Sequence, residues 1–354
     1  MSHNPFFFIK RTAILFSFLG GGLILHLFCP IPTYSKPPVS TEKYQNRGSH
    51  RKPPQYCKAK DGSTIRIGDI ALEKISPEYG GGKSLEFVLP EDGDECTPKN
   101  LKKVHSIQGI KTIGLYIYSG DAELNALRGY HDLQDLSIGE NVTGDGLSVL
   151  KTFPNLKRIW FWGSPKLKGI GLENLAKCSN LERLNAPSFL SGTDYKPLLK
   201  MKKLKKLSIA VNKDSIATIP QLRHLEELSF NVLPSDITSK ELALMLSQLK
   251  SLKQLKKIAI STYDSPSVIT AEVVEEISKM ESLEILYLPG IQNKDFKKIG
   301  RLKSLKSIFI GNRYRRFHLK NSLRYDFSQL KGMKKLERIS INGKLPPLGL
   351  KILK

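Results

Sequence analysis

Apolar residues recur along the chain in one six-residue pattern: apolar, two variable positions, apolar, one variable position, apolar. Ten blocks of this pattern start at Ile110, Leu133, Leu156, Leu181, Leu204, Leu225, Leu255, Leu283, Leu305 and Leu336. Successive blocks start 21 to 31 residues apart, which is the spacing of a structural repeat. Because successive side chains of a strand point to opposite faces, each block predicts one short strand with one apolar face.

The segments between the blocks predict a return path that contains helices. A single coil cannot bury its own apolar row, so neighbouring coils must stack and align their strands in a parallel sheet. Thr238 and Glu241 match a capping box at the start of a helix. Thr270 and Asn293 are predicted to cap two further helices. Pro98 predicts another helix, since proline is favoured in the first turn.

The repeated block resembles the LxxLxLxxN/C consensus of the leucine-rich-repeat family over roughly residues 85–354. The resemblance implies an α/β fold, a solenoid shaped as an arc or horseshoe, with a parallel sheet on its concave side and a mixed helical and irregular convex side. It also implies ligand binding on the concave face. The consensus asparagine is present at Asn141 and Asn212 but is replaced in other units. Together with the unequal repeat lengths, this predicts an irregular solenoid.

Residues 1–35 have the composition of a signal peptide or an N-terminal membrane anchor. Lys10 and Arg11 precede a nearly continuous apolar run over residues 12–29, and small residues at Thr33 and Ser35 mark a cleavage site. Three routes stay open: cleavage, retention of residues 12–29 as a short membrane anchor, and lipidation at Cys29. Each route predicts an exported protein that is secreted, periplasmic or held in the cell envelope.

The rest of the chain divides into three segments by composition. Residues 36–55 are basic and rich in proline, which predicts a flexible linker. Residues 56–100 are interpreted as an N-terminal cap with a divergent first repeat, and residues 101–354 as the leucine-rich repeats with the C-terminal end. Short apolar runs predict cap strands at residues 64–67 and 69–72 and the strand of the divergent repeat at residues 85–89.

The sequence carries no pattern typical of catalysis or of metal binding. Cys57 and Cys96 are a candidate disulfide, because exported proteins meet an oxidising compartment. Cys178 is expected to be a small buried residue. The run Gly80–Ser84 resembles the end of a phosphate-binding loop, but Pro77 replaces the glycine that the motif requires. We therefore predict no enzyme, no metal and no cofactor.

The residues between the buried positions of each strand are predicted to point to the concave face. Both tryptophans of the chain fall there on one strand, and aromatic and arginine side chains dominate binding hot spots. The alternative is that one tryptophan only fills space beneath a neighbouring loop. The candidate ligand-binding residues are Tyr116, Arg158, Trp160, Trp162, Arg183, Lys206, Tyr287 and Phe309.

The chain is strongly basic, with 56 Lys and Arg residues against 33 Asp and Glu residues and a formal net charge of +23. Such a charge attracts polyanions but does not identify one, and no specific nucleic acid is predicted. The sequence favours a non-catalytic exported binding module for a protein or an acidic polymer. One alternative is a membrane-anchored structural envelope protein held to an anionic membrane surface, and a less favoured one is a substrate adaptor of a ubiquitin ligase. The sequence does not predict an oligomeric state.

Overall fold

The structure is a computed structural model, which describes residues 65–67, 70–72, 83–86, 98–106, 108–115, 119–161, 170–186, 194–232, 236–262, 268–311 and 325–341. The chain divides into two units, Met1–Pro54 and Gln55–Lys354, and all described residues belong to the second. The predicted leader and linker lie outside the described residues, as do Cys29, Cys57, Cys96, Tyr116 and Trp162. The candidate disulfide therefore stays a prediction.

The first described elements are two short antiparallel strands in the predicted cap. They are β1 (Ile65–Ile67) and β2 (Ile70–Leu72), with Ile65 opposite Leu72. Their positions match the two apolar runs that predict cap strands.

The other described strands form one 11-stranded parallel sheet, whose spatial order follows the order of the sequence. They are β3 (Lys83–Glu86), β4 (Ile110–Gly114), β5 (Asp135–Ile138), β6 (Arg158–Phe161), β7 (Arg183–Ala186), β8 (Lys206–Val211), β9 (Glu227–Val232), β10 (Lys257–Thr262), β11 (Ile285–Leu288), β12 (Ser307–Ile310) and β13 (Arg338–Ile341). Each of the ten sequence blocks supplies one strand. β3 begins two residues before the predicted strand, because Lys83 already pairs with Ile110 of β4.

The return segments combine α-helices with 3₁₀ turns. The α-helices are α1 (Pro98–Lys102), α2 (Asp121–Ala126), α3 (Ile170–Ala176), α4 (Lys213–Thr218), α5 (Ser239–Leu249), α6 (Ala271–Ile277) and α7 (Phe296–Ile299). The 3₁₀ turns are Lys103–Ser106, Gly146–Thr152, Lys196–Lys200, Ile219–Gln221, Asn293–Asp295 and Phe327–Leu330. The predicted mixed helical side of the solenoid is therefore confirmed. None of the described helices is long and apolar enough to cross a bilayer.

Two of the three predicted helix caps are confirmed. The Thr238 side chain accepts a hydrogen bond from the Glu241 N–H, and the Glu241 carboxylate accepts one from the Thr238 N–H. The Thr270 side chain caps α6 by accepting from the Val273 N–H. The prediction for Asn293 is wrong: it lies inside a 3₁₀ turn, and its Oδ1 accepts a hydrogen bond from the Asp326 N–H of the next coil.

The core consists of the apolar positions of the repeated block, stacked from coil to coil. In one coil Leu204, Leu207 and Ile209 are all buried, and the same positions are buried in the neighbouring coils. Together they form one continuous apolar cluster that extends from Leu101 to Ile339. One strand per coil, a parallel sheet and a continuous core are the features of a leucine-rich-repeat fold, so the fold prediction is confirmed.

The residue before each strand in the middle and C-terminal coils carries a charge whose sign alternates from one coil to the next. We call this series the edge ladder, and its members are Lys157, Glu182, Lys205, Glu226, Lys256, Glu284, Lys306 and Glu337. The N–H of each later member donates to the carbonyl oxygen of the member before it, at 2.7–2.9 Å. Three neighbouring pairs also join through their side chains: Lys205–Glu226 at 3.2 Å, Lys256–Glu284 at 3.6 Å and Lys306–Glu284 at 2.6 Å. Opposite charges on adjacent strands favour this register over a shifted one.

Candidate functional site: the binding face of the sheet

The sheet face opposite the core presents two rows of side chains that run across the strands. The strand register defines both rows. The charged row, from β5 to β10, is Asp135, Arg158, Arg183, Lys206, Glu227 and Lys257. The groove row, from β6 to β12, is Trp160, Asn185, Ser208, Ser229, Ala259, Tyr287 and Phe309. We call the surface that these two rows form the binding face.

A shallow groove of about 150 Å³ lies on the binding face between β6 and β11. Small side chains at Ser208, Ser229 and Ala259 form its floor, while Trp160 and Tyr287 line its opposite ends. Neighbouring strands are roughly 4.8 Å apart, so the two aromatic residues, five strands apart in the sheet, are separated by roughly 24 Å. An extended segment of roughly seven residues spans that distance.

Tyr287 and Phe309 form an aromatic stack at one end of the groove. Their ring centroids lie 4.1 Å apart and the ring planes differ by 4°. The Lys257 Nζ lies 5.7 Å from the centroid of the Tyr287 ring. Because the stack holds the Tyr287 ring upright beside small Ala259, the ring forms a rigid wall of the groove. Such an aromatic wall loses little entropy when a ligand binds against it.

Arg158 is bound to an acid of the neighbouring strand. Its Nε and Nη2 both donate to the carboxylate of Asp135, the second at 2.6 Å to Oδ2. The Thr112 hydroxyl donates to the same Oδ2 at 3.2 Å. The hydrogen bond to Asp135 raises the pKa of the Arg158 guanidinium above its ordinary value. Arg158 therefore meets a ligand as part of a neutral pair.

Lys206 and Lys257 share one carboxylate, that of Glu227. Lys206 Nζ donates to Oε1, and Lys257 Nζ lies 3.3 Å from Oε2. Burial of the Glu227 carboxyl opposes its ionisation, but the two lysines outweigh burial and hold its pKa below the ordinary value. The three side chains together therefore carry one net positive charge.

Arg183 differs from the other cations of the charged row. Within the described part of the chain, its side chain forms no hydrogen bond and no ion pair within 4.0 Å. In the strand register it lies between Arg158 on one side and Lys206 on the other. Like charges on adjacent strands destabilise a sheet. A bound anion would therefore offset more electrostatic repulsion at Arg183 than at the paired cations of the row.

Asn185 lies two residues after Arg183 on the same strand and lines the groove. It is 8% exposed, and its buried Oδ1 has no hydrogen-bond donor among the described residues. A buried polar atom without a partner costs roughly 1–3 kcal/mol. Arg183 thus offers an unused donor on the binding face, and Asn185 has an unused acceptor buried beside it.

The structure brings most of the sequence-predicted site residues onto one surface. Arg158, Trp160, Arg183 and Lys206 lie on three adjacent strands, and Tyr287 stacks on Phe309. Trp160 and Tyr287, which lie far apart in the sequence, line the same groove. Sequence reasoning did not select Asn185, Glu227 or Lys257 as site residues. Their alternation marked them as outward-facing, but only the cross-strand register shows what each one contacts.

The described residues offer little reactive chemistry elsewhere. They include no group of three or more His, Cys, Asp or Glu side chains placed to hold a metal ion. Cys178 is buried, as predicted, and burial raises the pKa of its thiol to about 12. The thiol therefore stays protonated near neutral pH and is a poor nucleophile.

Comparisons with known proteins find likeness only among solved structures. No protein-family model and no curated protein matches the chain. A leucine-rich-repeat protein of Leptospira interrogans aligns at 21% identity and a TM-score of 0.38, covering 72% of this chain. The aligned region spans 60% of that protein. An internalin from Listeria monocytogenes aligns at 17% identity and a TM-score of 0.30, covering 68% of this chain and 82% of its own. The fold assignment rests on the strand register and the core described above.

Proposed function

We propose that this chain is a non-catalytic binding module that recognises an acidic region of a partner protein through the binding face. The groove between β6 and β11 is the observation that supports this proposal. It combines a floor of small side chains with a tryptophan at one end and a tyrosine at the other. A partner segment can lie along the floor and place apolar side chains against both rings.

The residue types on the binding face are those that supply binding energy. Tryptophan, tyrosine and arginine dominate interface hot spots, because each removes a large contact area from water while keeping a polar group for hydrogen bonding. Trp160, Arg183 and Tyr287 are partly exposed on this face. A partner that covers all three would bury an aromatic hot spot at each end and an arginine on the strand next to Trp160.

Charge favours an acidic partner over a basic one. Arg183 and the Lys206–Glu227–Lys257 cluster leave the groove side of the charged row positive. The whole chain carries a formal charge of +23, which speeds the approach of an acidic surface at low ionic strength. Long-range attraction changes mainly the association rate, whereas the groove contacts determine how long the complex lasts.

Export is part of the proposal and rests on the N-terminal sequence. The apolar run over residues 12–29, preceded by Lys10 and Arg11, has the composition of an export signal or an anchor. On this basis the partner is an extracellular, periplasmic or envelope protein. An N-terminal sequence of the mature chain that still includes residues 12–29 would favour the anchored form.

The test is a capture experiment on the envelope and extracellular fractions of the source cells with the full-length chain as bait. The Trp160→Ala/Tyr287→Ala double variant removes both ends of the groove. Leu244→Ala is the matched control, because Leu244 is a 52% exposed apolar residue on α5, away from the binding face. We expect a partner that binds wild type and the control at moderate salt and is lost from the double variant. A partner that still binds the double variant but is released by added salt would show that binding depends on charge alone. That result would refute the groove as the binding site.

A further inference from the structure

The charges of the charged row do not alternate in sign from strand to strand, unlike those of the edge ladder. In the edge ladder the sign alternates across eight successive coils. In the charged row the order is Asp135, then three successive cations, then Glu227. The two outer cations, Arg158 and Lys206, each pair with the acid beyond them, and the middle cation, Arg183, has no acid within 4.0 Å among the described residues.

The next residue of β7 that points to the same face adds a second unused group. Asn185 pairs in register with Trp160 on one side and with Ser208 on the other. Its buried Oδ1 has no hydrogen-bond donor among the described residues. The terminal torsion of an asparagine is broad, so a rotation of the amide can turn this oxygen to the groove.

We propose that Arg183 and Asn185 form a subsite for one Asp or Glu residue of the partner. The Arg183 guanidinium donates to the side-chain carboxylate, and Asn185 Oδ1 accepts a hydrogen bond from a backbone N–H of the same segment. The Trp160 ring on the neighbouring strand borders the subsite. This inference rests on the proposed function, because it specifies the partner residue that the groove recognises.

A peptide fits the subsite better than a bare anion or an acidic sugar. A fully ionised phosphate or sulfate has no proton to donate to Asn185. An acidic sugar chain can meet the polar side chains of the groove, but it has no apolar side chain to pack against Ala259 in the floor. An extended peptide supplies a carboxylate, a nearby N–H and apolar side chains for both rings.

The subsite also makes a prediction about the free protein. Arg183 has no acid of its own among the described residues and lies beside the Lys206–Glu227–Lys257 cluster, which carries one net positive charge, so removal of the Arg183 charge should stabilise the unbound chain. We expect Arg183→Leu to unfold at a higher urea concentration than wild type. Lys253→Leu removes the same charge from an exposed turn and should leave the urea midpoint unchanged. A lower midpoint for Arg183→Leu would contradict the like-charge strain at this position.

The binding test uses random peptides about eight residues long, displayed on phage and selected on the full-length chain. We expect the selected peptides to share an Asp or Glu at one fixed distance from an apolar residue. Replacing that acid with Asn or Gln should weaken binding to wild type and to Lys253→Leu about tenfold, the effect of one charge-assisted hydrogen bond. The same peptide change should have little effect on Arg183→Leu, because the partner charge is already absent.

The outcomes separate the subsite from the groove. Peptides that need Trp160 and Tyr287 but show no acid preference, or whose acid matters equally in Arg183→Leu, would refute the subsite and leave the groove in place. Failure to select any peptide that depends on Trp160 and Tyr287 would refute the proposed function itself. Oligogalacturonate that binds through Arg183 where no peptide does would make an acidic sugar the occupant and overturn the peptide assignment.

Discussion

The basic residues of the binding face differ in how far acidic side chains of the same chain neutralise them. Arg158 is neutralised by Asp135, and Lys206 shares Glu227 with Lys257. Arg183 keeps its full charge for a ligand. The sequence predicts that Arg158, Arg183 and Lys206 point outward, because alternation along one strand is a local property. It does not predict which of them is paired, since each partner lies a whole coil away and depends on register.

Glu227 predicts a specific dependence of stability on pH. Its pKa in the folded chain is lowered, so its stabilising contribution is fully present above the unfolded-state value of about 4.3 and is lost as the pH falls through the folded value. Glu227→Gln should therefore be less stable than wild type near pH 7, and the difference should shrink as the pH falls below about 4. Urea unfolding of both proteins across this range measures it.

The control for this pH series is Glu173→Gln. Glu173 pairs with Lys200 on the surface, where their side chains are 48% and 64% exposed. An exposed pair contributes little, so this variant should follow wild type at every pH. A Glu227→Gln difference that stayed constant or grew in acid would contradict the role given to the two lysines.

The strands and helices follow closely from the sequence, whereas the contacts that connect coils do not. Each six-residue block predicts its strand, and Thr238 and Thr270 predict their helices from side-chain chemistry within one turn. Asn293 fails as a cap because its amide oxygen bonds to Asp326 of the next coil. The edge ladder is not evident from the sequence either, since its alternation of charge is visible only once the blocks are aligned coil by coil.

The edge ladder predicts a measurable cost for reversing one of its charges. Lys256 lies between Glu226 and Glu284, so Lys256→Glu places three acids on adjacent strands. We expect the free energy of unfolding to fall by about 1 kcal/mol at low salt and by less at about 1 M salt, where exposed charges are screened within a few ångströms. Urea unfolding at both ionic strengths measures this change.

Lys253→Glu is the matched control for the ladder. It makes the same charge change three residues earlier, at an exposed turn position outside the ladder. Its free energy of unfolding should stay within about 0.5 kcal/mol of wild type. An equal loss in both single variants would mean that net charge, rather than the ladder, is responsible.

Across the whole solenoid, the stacking of the coils aligns the outward-facing side chains of successive strands into one extended surface. Each coil contributes two or three outward side chains, and the groove exists because small residues on β8, β9 and β10 lie between larger ones on β6 and β11. The sequence predicts which residues face outward but does not show that Trp160 and Tyr287 line one groove. The distance between the two residues depends on the number of strands between them. The number of repeats gives that number of strands only when each repeat is known to supply one strand of the same sheet. Tyr116 and Trp162 lie outside the described residues and stay predictions.

The most direct test of the binding face is hydroxyl-radical labelling of the full-length chain with and without its captured partner. Mass spectrometry then reports which side chains the partner shields. We expect reduced labelling of Trp160 and Tyr287 in the complex, while exposed Leu244 on α5 is labelled equally in both states. Shielding of Leu244 with unchanged labelling of Trp160 and Tyr287 would place the partner on the helical side and refute the binding face.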